Sequence, residues 1–347
     1  MKPLVSILIP AYNAQEWLVE SLQSAVQQTW ENTEIIVVDD GSKDQTLEVA
    51  RRFESNRVKV ITQQNAGAAA ARNKCFSLSQ GDYIQWLDAD DLLSPDKISR
   101  QMAVLEQGAS NRTLLSSGWA HFIYRYSRAQ FVPTALWCDL SPVEWLIRKM
   151  ENNLHMQTAT WLVSRELSEA AGAWNTQLLG DDDGEYFCRV LLASEGVRFV
   201  PGAKVYYRMP ASTNLSYVGR SEAKMVAQWK SMESHINYIR SLEDSDRVRA
   251  ACVQYLQNWL LSFYPDRPDL VEKAKEKARS LGGKLEDPQL TWKYSWIKAL
   301  FGWNLAKQAR VALPAAKWAV VRSWDRAMFR MQQNSLAGKA GHSVTQL

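Results

Sequence analysis

The chain has 347 residues, 46% hydrophobic and 22% charged, a balance that supports a packed core and excludes a disordered chain. The net charge of +4 is unevenly spread: residues 292–330 hold eight Lys and Arg against Asp325 alone, so the part before 292 is mildly acidic. Such asymmetry points to an anionic surface as the partner of that one segment and gives little support to nucleic-acid binding by the body. Cys75, Cys138, Cys188 and Cys252 lie far apart with no C-x-x-C pair, which argues against disulfides or a zinc site and for a reducing compartment. The opening MKPLVSILIP has too short an apolar run for a signal peptide, and no run of 18 apolar residues is present to span a membrane.

Val5–Ile9 is a β-rich run stopped by Pro10 and predicts a buried strand. Asn13, with Glu16 three residues on, predicts a capping box for a helix whose apolar face is Trp17, Leu18, Leu22, Ala25 and Val26. Glu34–Val38 predicts a second strand ending in Asp39-Asp40-Gly41-Ser42, with a helix from about Asp44 that turns Leu47, Ala50 and Phe53 inward. Val58–Ile61 is a third strand, and Gly67 opens an alanine-rich helix through Arg72 towards Phe76. Tyr83–Leu87 is a fourth strand ending in Asp88-Ala89-Asp90-Asp91, after which Ser94 and Pro95 start another helix.

Strand and helix alternate at a spacing that implies β-α-β units and a mainly parallel sheet, an α/β fold. The carboxyl ends of such strands share one edge, where open sheets bind ligands. Tyr12-Asn13, Asp39-Asp40 and Asp88–Asp91 should therefore converge. Further on, 114–124 reads as strand and hairpin, 142–150 as helix, 159–163 as strand, 185–192 as helix after the acidic turn Asp181–Gly184, and 197–207 as strands broken at Pro201-Gly202. Beyond about 220 the pattern is helical only, which sets the expected division: 1–218 as the main domain, its halves meeting near 110, and 219–347 as a helical extension.

Carboxylates crowded at a strand end are costly unless a cation neutralises them. Magnesium and manganese take oxygen ligands and bind through one or two carboxylates plus substrate phosphates. A bare D-x-D has the plain alternative of a solvated acidic turn, and D-D-G-S that of a helix cap. The string VSILIPAYNAQEWLVESLQSAVQQTW, then EIIVVDDGSKDQT, NAGAAAARN and DYIQWLDADDLLSP, resembles the family 2 glycosyltransferases in order, spacing and residue type. The resemblance covers roughly 4–210 and is dense over 4–100.

The resemblance implies a GT-A fold and transfer of a sugar from a nucleotide-sugar, with inversion, aided by Mg2+ or Mn2+. It implies donor-binding roles for Tyr12 near the nucleobase, for Asp39 and Asp40 as the acidic pair that recognises uracil, and for Arg72 facing the nucleotide. It likewise implies Asp88 near the ribose, Asp90 as the metal ligand on the diphosphate, and Asp91 as the acid that follows. A carboxylate suits uracil because it accepts from the imide N–H.

Asp181-Asp182-Asp183 resembles the family's E-D motif at a helix start, whose second acid is the catalytic base; counting back from Arg189 puts it at Asp182-Asp183, with Asp183 favoured and Asp182 second. Here Asp182 stands where many relatives have Glu, and simple charge at a helix N-terminus is the alternative. His155 could touch an acceptor or diphosphate, or pack in the core; Trp161 lies in the same acceptor-side stretch; Cys188 is expected to pack.

Residues 292–330 combine their charge with Trp292, Trp296, Trp303, Trp318 and Trp324. Either the segment lies on an anionic membrane leaflet over a saccharide or lipid-linked acceptor, or it is an amphipathic pair, split at Pro314, packed on the catalytic domain. The expected setting is cytoplasmic, peripheral at the cytoplasmic face of the membrane, in cell-surface polysaccharide or glycolipid synthesis. A sugar nucleotidyltransferase would need a glycine-rich, basic phosphate loop that IPAYNAQEW lacks. A non-catalytic sugar-nucleotide-binding protein would be expected to lose one of the two acidic clusters.

Overall fold

The computed structural model describes residues 2–209 and 221–343. The first four apolar runs are β1 (Val5–Ala11), β2 (Thr33–Asp39), β3 (Val58–Thr62) and β4 (Tyr83–Trp86), joined by α1 (Leu18–Val26), α2 (Thr46–Arg51) and α3 (Ala68–Leu78). With β7 (Val163–Ser164) they form one sheet in the order β3-β2-β1-β4-β7, parallel except for the last pair. Side chains alternate across a strand, so each strand feeds two cores. Leu8, Ile36, Val38, Ile84 and Trp86 enter one, and Val5, Ile7, Ile9, Ile35 and Val37 the other.

A second sheet, β5-β8-β6, is made of β5 (Leu92–Leu93), β6 (Thr113–Phe122) and β8 (Gly196–Arg208). The expected hairpin at 114–124 is a single strand, β6, lying parallel to β8. Nor do Pro201 and Gly202 break β8. The register steps from Ser117↔Val200 to Gly118↔Lys204, so Pro201–Ala203 bulge out and the proline, which has no N–H to give, stays off the ladder. Over 159–163 there is a 3-10 turn, Thr158–Thr160, and then the short β7.

Of the helices expected in the first half, α3 opens after Gly67 as expected and the others start later. Asn13 does not cap α1: its backbone is left-handed (φ 48) and its Oδ1 accepts from Lys43 N at 2.8 Å, which ties the loop after β1 to the loop after β2. Ser94 and Pro95 form a turn ahead of α4 (Lys97–Glu106). In α2, Val49 and Ala50 are buried and Leu47 is half-buried, as is Phe53 just beyond its end.

α5 (Pro142–Asn152) appears as expected, with Ser141 Oγ accepting from Glu144 N. After α6 (Arg165–Ala171), α7 (Asp182–Ala193) starts earlier than expected and takes Asp182 and Asp183 into its first turn.

The extension is helical: α8 (Glu222–Leu242), α9 (Asp246–Phe263), α10 (Pro268–Ser280) and α11 (Trp292–Ser343). The expected boundary at 218/219 lies outside the described residues. α9 packs on α5 and α8 on α7. Trp229, Ile236, Leu256 and Phe263 thereby join the same core as Leu8 and Trp86. Within α11 the backbone leaves helical angles at Gly302 (φ 80) rather than at Pro314. Glycine adopts that conformation without a Cβ clash.

Candidate active site

β1, β2 and β4 run parallel, so their carboxyl ends lie together and the loops after them line one hollow of about 640 Å³. Tyr12, Trp17, Asp40, Arg72, Asp88 and Asp90 face it. Tyr12 is 47% exposed, an aromatic face open to solvent at the mouth.

Asp40 is buried. Its Oδ1 accepts from Gln63 Nε2 (2.7 Å) and Ala66 N (2.9 Å), and its Oδ2 from Gly67 N (2.8 Å). It thus holds the loop that starts α3, where Gly67 sits at φ 90. A carboxylate offers about four acceptor positions, so about one remains open.

Asp39 and Asp91 were expected in the donor site, and the structure puts both behind it. Asp39 accepts from Thr62 Oγ1 (3.1 Å) and Ser42 N (3.4 Å) and does not line the hollow. Asp91 is fully buried, takes hydrogen bonds from Gln157 and from Arg208 N (2.8 Å), and so ties β8 to the end of β4. Burial, then Asp90 and Asp88, push its carboxyl well above the ordinary range. Asp39 ends β2 and Asp91 follows β4; side chains alternate there, and both acids turn inward to donors of the fold, although Asp39 Oδ1 is buried without one.

A second hollow of about 900 Å³ adjoins the first and shares Gly67, Ala68, Arg72 and Asp88 with it. Asp182, Asp183, His155 and Tyr207 line it. Arg72 is the joint. Buried on α3, it donates to Asp88 at 2.7 Å and to Asp182 at 2.9 Å, with its guanidinium over the Trp174 ring at 4.5 Å. The two acidic clusters are therefore neighbours.

Burial pushes the Asp182 carboxyl up to about 6, against the pull of Arg72. Asp183 is also raised, by burial and then by Asp181. It accepts from Thr158 Oγ1 at a long 3.5 Å, and among the described residues it makes no ion pair, whereas Asp182 pairs with Arg72. Asp181 turns into α7 with a left-handed backbone (φ 55) and accepts from Ser231 of α8.

Asp90 has its carboxyl pushed up to about 6 by burial and then by Asp88. Asp88 and Asp90 are hard oxygen donors facing one hollow, and a cation there would relieve that mutual cost. Among the described residues no group of three His, Cys, Asp or Glu converges as a ready cage. The donor set thus fits an ion that keeps water and phosphate oxygens in its shell, as Mg2+ or Mn2+ does.

Of the other candidates, His155 lines the second hollow beside Trp119 (5.0 Å). Trp161 is core, stacked on Phe187 at 5.4 Å, and Cys188 packs as expected. Arg208 was missed. It is buried, donates to Asp90 O (2.8 Å), Ile123 O (2.7 Å) and Glu20 (2.6 Å), and supports the Asp88–Asp91 turn from below. Arg208 ends β8, and a buried arginine there needs anionic or carbonyl partners within the fold. Tyr207, Lys149, Tyr255 and Trp259 of the second hollow carried no comparable signal.

A parallel sheet whose carboxyl edge carries the D-x-D acids, closed by a second mixed sheet and helices, is the GT-A glycosyltransferase fold. Solved structures share it. Staphylococcus aureus TarS 1-349, in complex with UDP-GlcNAc, superposes with a TM-score of 0.64 at 17% identity over 81% of each chain. The mannosyltransferase PcManGT from Pyrobaculum calidifontis, in complex with GDP-Man and Mn2+, gives 0.53 at 17% identity over 93% of this chain and 85% of that one. Residues 6–157 match the family described as Glycosyl transferase family 2.

An uncharacterized glycosyltransferase of Haemophilus influenzae is 41% identical over 108 residues, 30% of this chain and 43% of that protein. The glycosyltransferase GlyG of Streptococcus pneumoniae is 42% identical over 101 residues, 28% of this chain and 34% of that one. TuaG of Bacillus subtilis, named for teichuronic acid biosynthesis, is 38% identical over 104 residues, 29% and 41%. The chain spans less than half the length of these relatives.

Proposed function

We propose that the chain is an inverting glycosyltransferase that moves a sugar from a UDP-sugar to an acceptor hydroxyl. The observation that carries this is the Arg72 bridge: the arginine holds the donor-side acid Asp88, 16 residues on, and the base-side acid Asp182, 110 residues on. The nucleobase lies against Tyr12, with its imide N–H on the free acceptor position of Asp40. Arg72 and Asp88 line the passage from that hollow to the next. Asp90, with Asp88 beside it, would hold an Mg2+ or Mn2+ ion, which when bound would supply charge neutralisation to the leaving diphosphate.

Asp183 accepts the proton of the acceptor hydroxyl. That oxygen forms the new bond to the anomeric carbon as the bond to the diphosphate breaks and its electron pair leaves with the nucleotide. A carboxyl raised above its ordinary value is a stronger base for this task, and Asp183 is raised while remaining unpaired with arginine. The reading favours an acceptor in cell-surface polysaccharide or glycolipid synthesis, presented at the cytoplasmic face of an anionic membrane that residues 292–330 meet.

The test is release of nucleotide from a panel of nucleotide-sugars, with Mn2+, with Mg2+ and with chelator. Asp183→Asn should lower turnover by about 10²–10⁴ with little change in donor affinity. No release from any donor, or unchanged turnover in Asp183→Asn and Asp90→Asn, would overturn the proposal.

A further inference from the structure

α11 is fastened to the body by one side only. Lys307 Nζ donates to Tyr264 O (3.0 Å) and pairs with Asp266. Near the other end, Asp325 accepts from Tyr124 N (3.0 Å) and from Arg125 Nε (2.6 Å). Between these two fastenings the described side chains from Ala312 to Val320 are exposed.

The outward side carries a continuous apolar stripe. Leu305, Leu313, Val320, Trp324 and Met331 follow one another at spacings of eight, seven, four and seven, which keeps them on one face of a helix. Val320 is 71% exposed and Met331 65%. Ahead of the Gly302 break, Trp292, Trp296 and Leu300 repeat at every fourth residue and are also exposed. Single exposed apolar residues are ordinary, whereas a stripe this long implies something that covers it.

Charge says what covers it. On the 3.6-residue repeat, Arg310 and Lys317 fall along one border of the stripe and Arg326 and Arg330 along the other. Asp325, the segment's one acid, is turned inward to Arg125. A second copy laid stripe to stripe would set a surplus of seven positive charges against another seven. An anionic lipid surface matches both the bases and the tryptophans. No described helix is long and apolar enough to cross a bilayer, and a stripe bordered by bases suits a helix lying in the headgroup layer.

The fastening also leads back to the donor hollow. Tyr124, which Asp325 holds, packs on Trp17 (ring centroids 5.3 Å apart), and Trp17 lines that hollow. We propose that the stripe from Trp292 to Met331 lies in the headgroup layer of an anionic bilayer, with the Asp325–Arg125 clamp holding the donor hollow in a fixed orientation over it. This rests on the membrane reading of 292–330 above and on nothing about the donor.

The test is flotation of the full chain with vesicles of phosphatidylcholine alone or with about 30% phosphatidylglycerol. The native chain should float only with the anionic vesicles, and less at high salt. Leu313→Glu/Val320→Glu should abolish flotation, and Arg310→Gln/Lys317→Gln should weaken it about 30-fold. All four positions are exposed, so circular dichroism and thermal unfolding should match the native protein and keep the comparison fair. No flotation of the native chain, flotation unchanged by the Glu pair, or a dimer by light scattering that the Glu pair dissolves, would each overturn the proposal. None of these readouts uses turnover, so failure here and failure of the transfer assay are separable.

Discussion

Replacing Asp90 by asparagine should stabilise the ligand-free protein at neutral pH and remove its response to metal. Burial, with Asp88 beside it, lifts the Asp90 carboxyl from an ordinary 3.8 to about 6. Keeping it ionised in the fold therefore costs up to about 3 kcal/mol, since one pH unit corresponds to about 1.4 kcal/mol. Among the described residues no other side chain donates a hydrogen bond to this carboxylate, so asparagine strands no partner. Arg208, whose charge draws Asp90 down, keeps its pair with Glu20 and its two carbonyl bonds.

A gain of about 1–3 kcal/mol should raise the melting temperature by roughly 1–4 °C in a chain of this size. Because the folded pKa lies above the unfolded one, the native state holds an extra proton between about pH 4 and 6. The stability from that proton is complete below the unfolded value and is lost as pH rises through about 6. The variant's advantage should therefore open across that window, level off above it and vanish near pH 4. Thermal melts followed by the fluorescence of the 15 tryptophans would record it. UDP with Mn2+ should raise the native melting point, by about 2.7 kcal/mol of stability at a hundred times Kd, and raise that of the variant much less. A variant that melts lower than native at pH 7.5, or whose advantage persists at pH 4, would refute this account of Asp90.

Asp325→Ala should leave the buried Arg125 and two backbone N–H groups without their acceptor, a loss of about 3 kcal/mol at the clamp. Tryptic cleavage at Lys317 and Arg322 should then quicken about a hundredfold while the remainder melts as before; an unchanged cleavage rate would mean that the clamp does not hold α11. Cys75, Cys188 and Cys252 are buried, and burial pushes each thiol up to about 12, whereas Cys138 is exposed. A thiol reagent should label one cysteine per native chain quickly and the other three only in denaturant. A second fast thiol would contradict the packing around α3, α7 or α9.

Much of the donor half was legible without coordinates, because apolar runs of Val5–Ile9, Glu34–Val38 and Tyr83–Leu87 can bury both faces only as parallel strands. The polar strings after them had to meet at one edge, and Tyr12, Asp40, Arg72, Asp88 and Asp90 line the first hollow accordingly. Asp39 and Asp91 were less readable. Their types match their neighbours, but which acid of a pair turns inward depends on where its strand stops and what donors the rest of the chain brings.

Sequence alone determined what is local: the first four strands, the glycine that opens α3, and the burial of Cys188 on a helix after an acidic turn. It also held the charge and tryptophan content of 292–330. Tertiary structure alone decided the long-range pairings. Those include the union of Asp88 and Asp182 on Arg72, the support of Asp90 by Arg208, the fusion of α8 and α9 into the central core, and the clamp that turns Asp325 in and the apolar stripe out. The reason is physical: hydrophobic periodicity is written along the chain, whereas a charge is satisfied by any suitable partner that folding brings within about 3 Å.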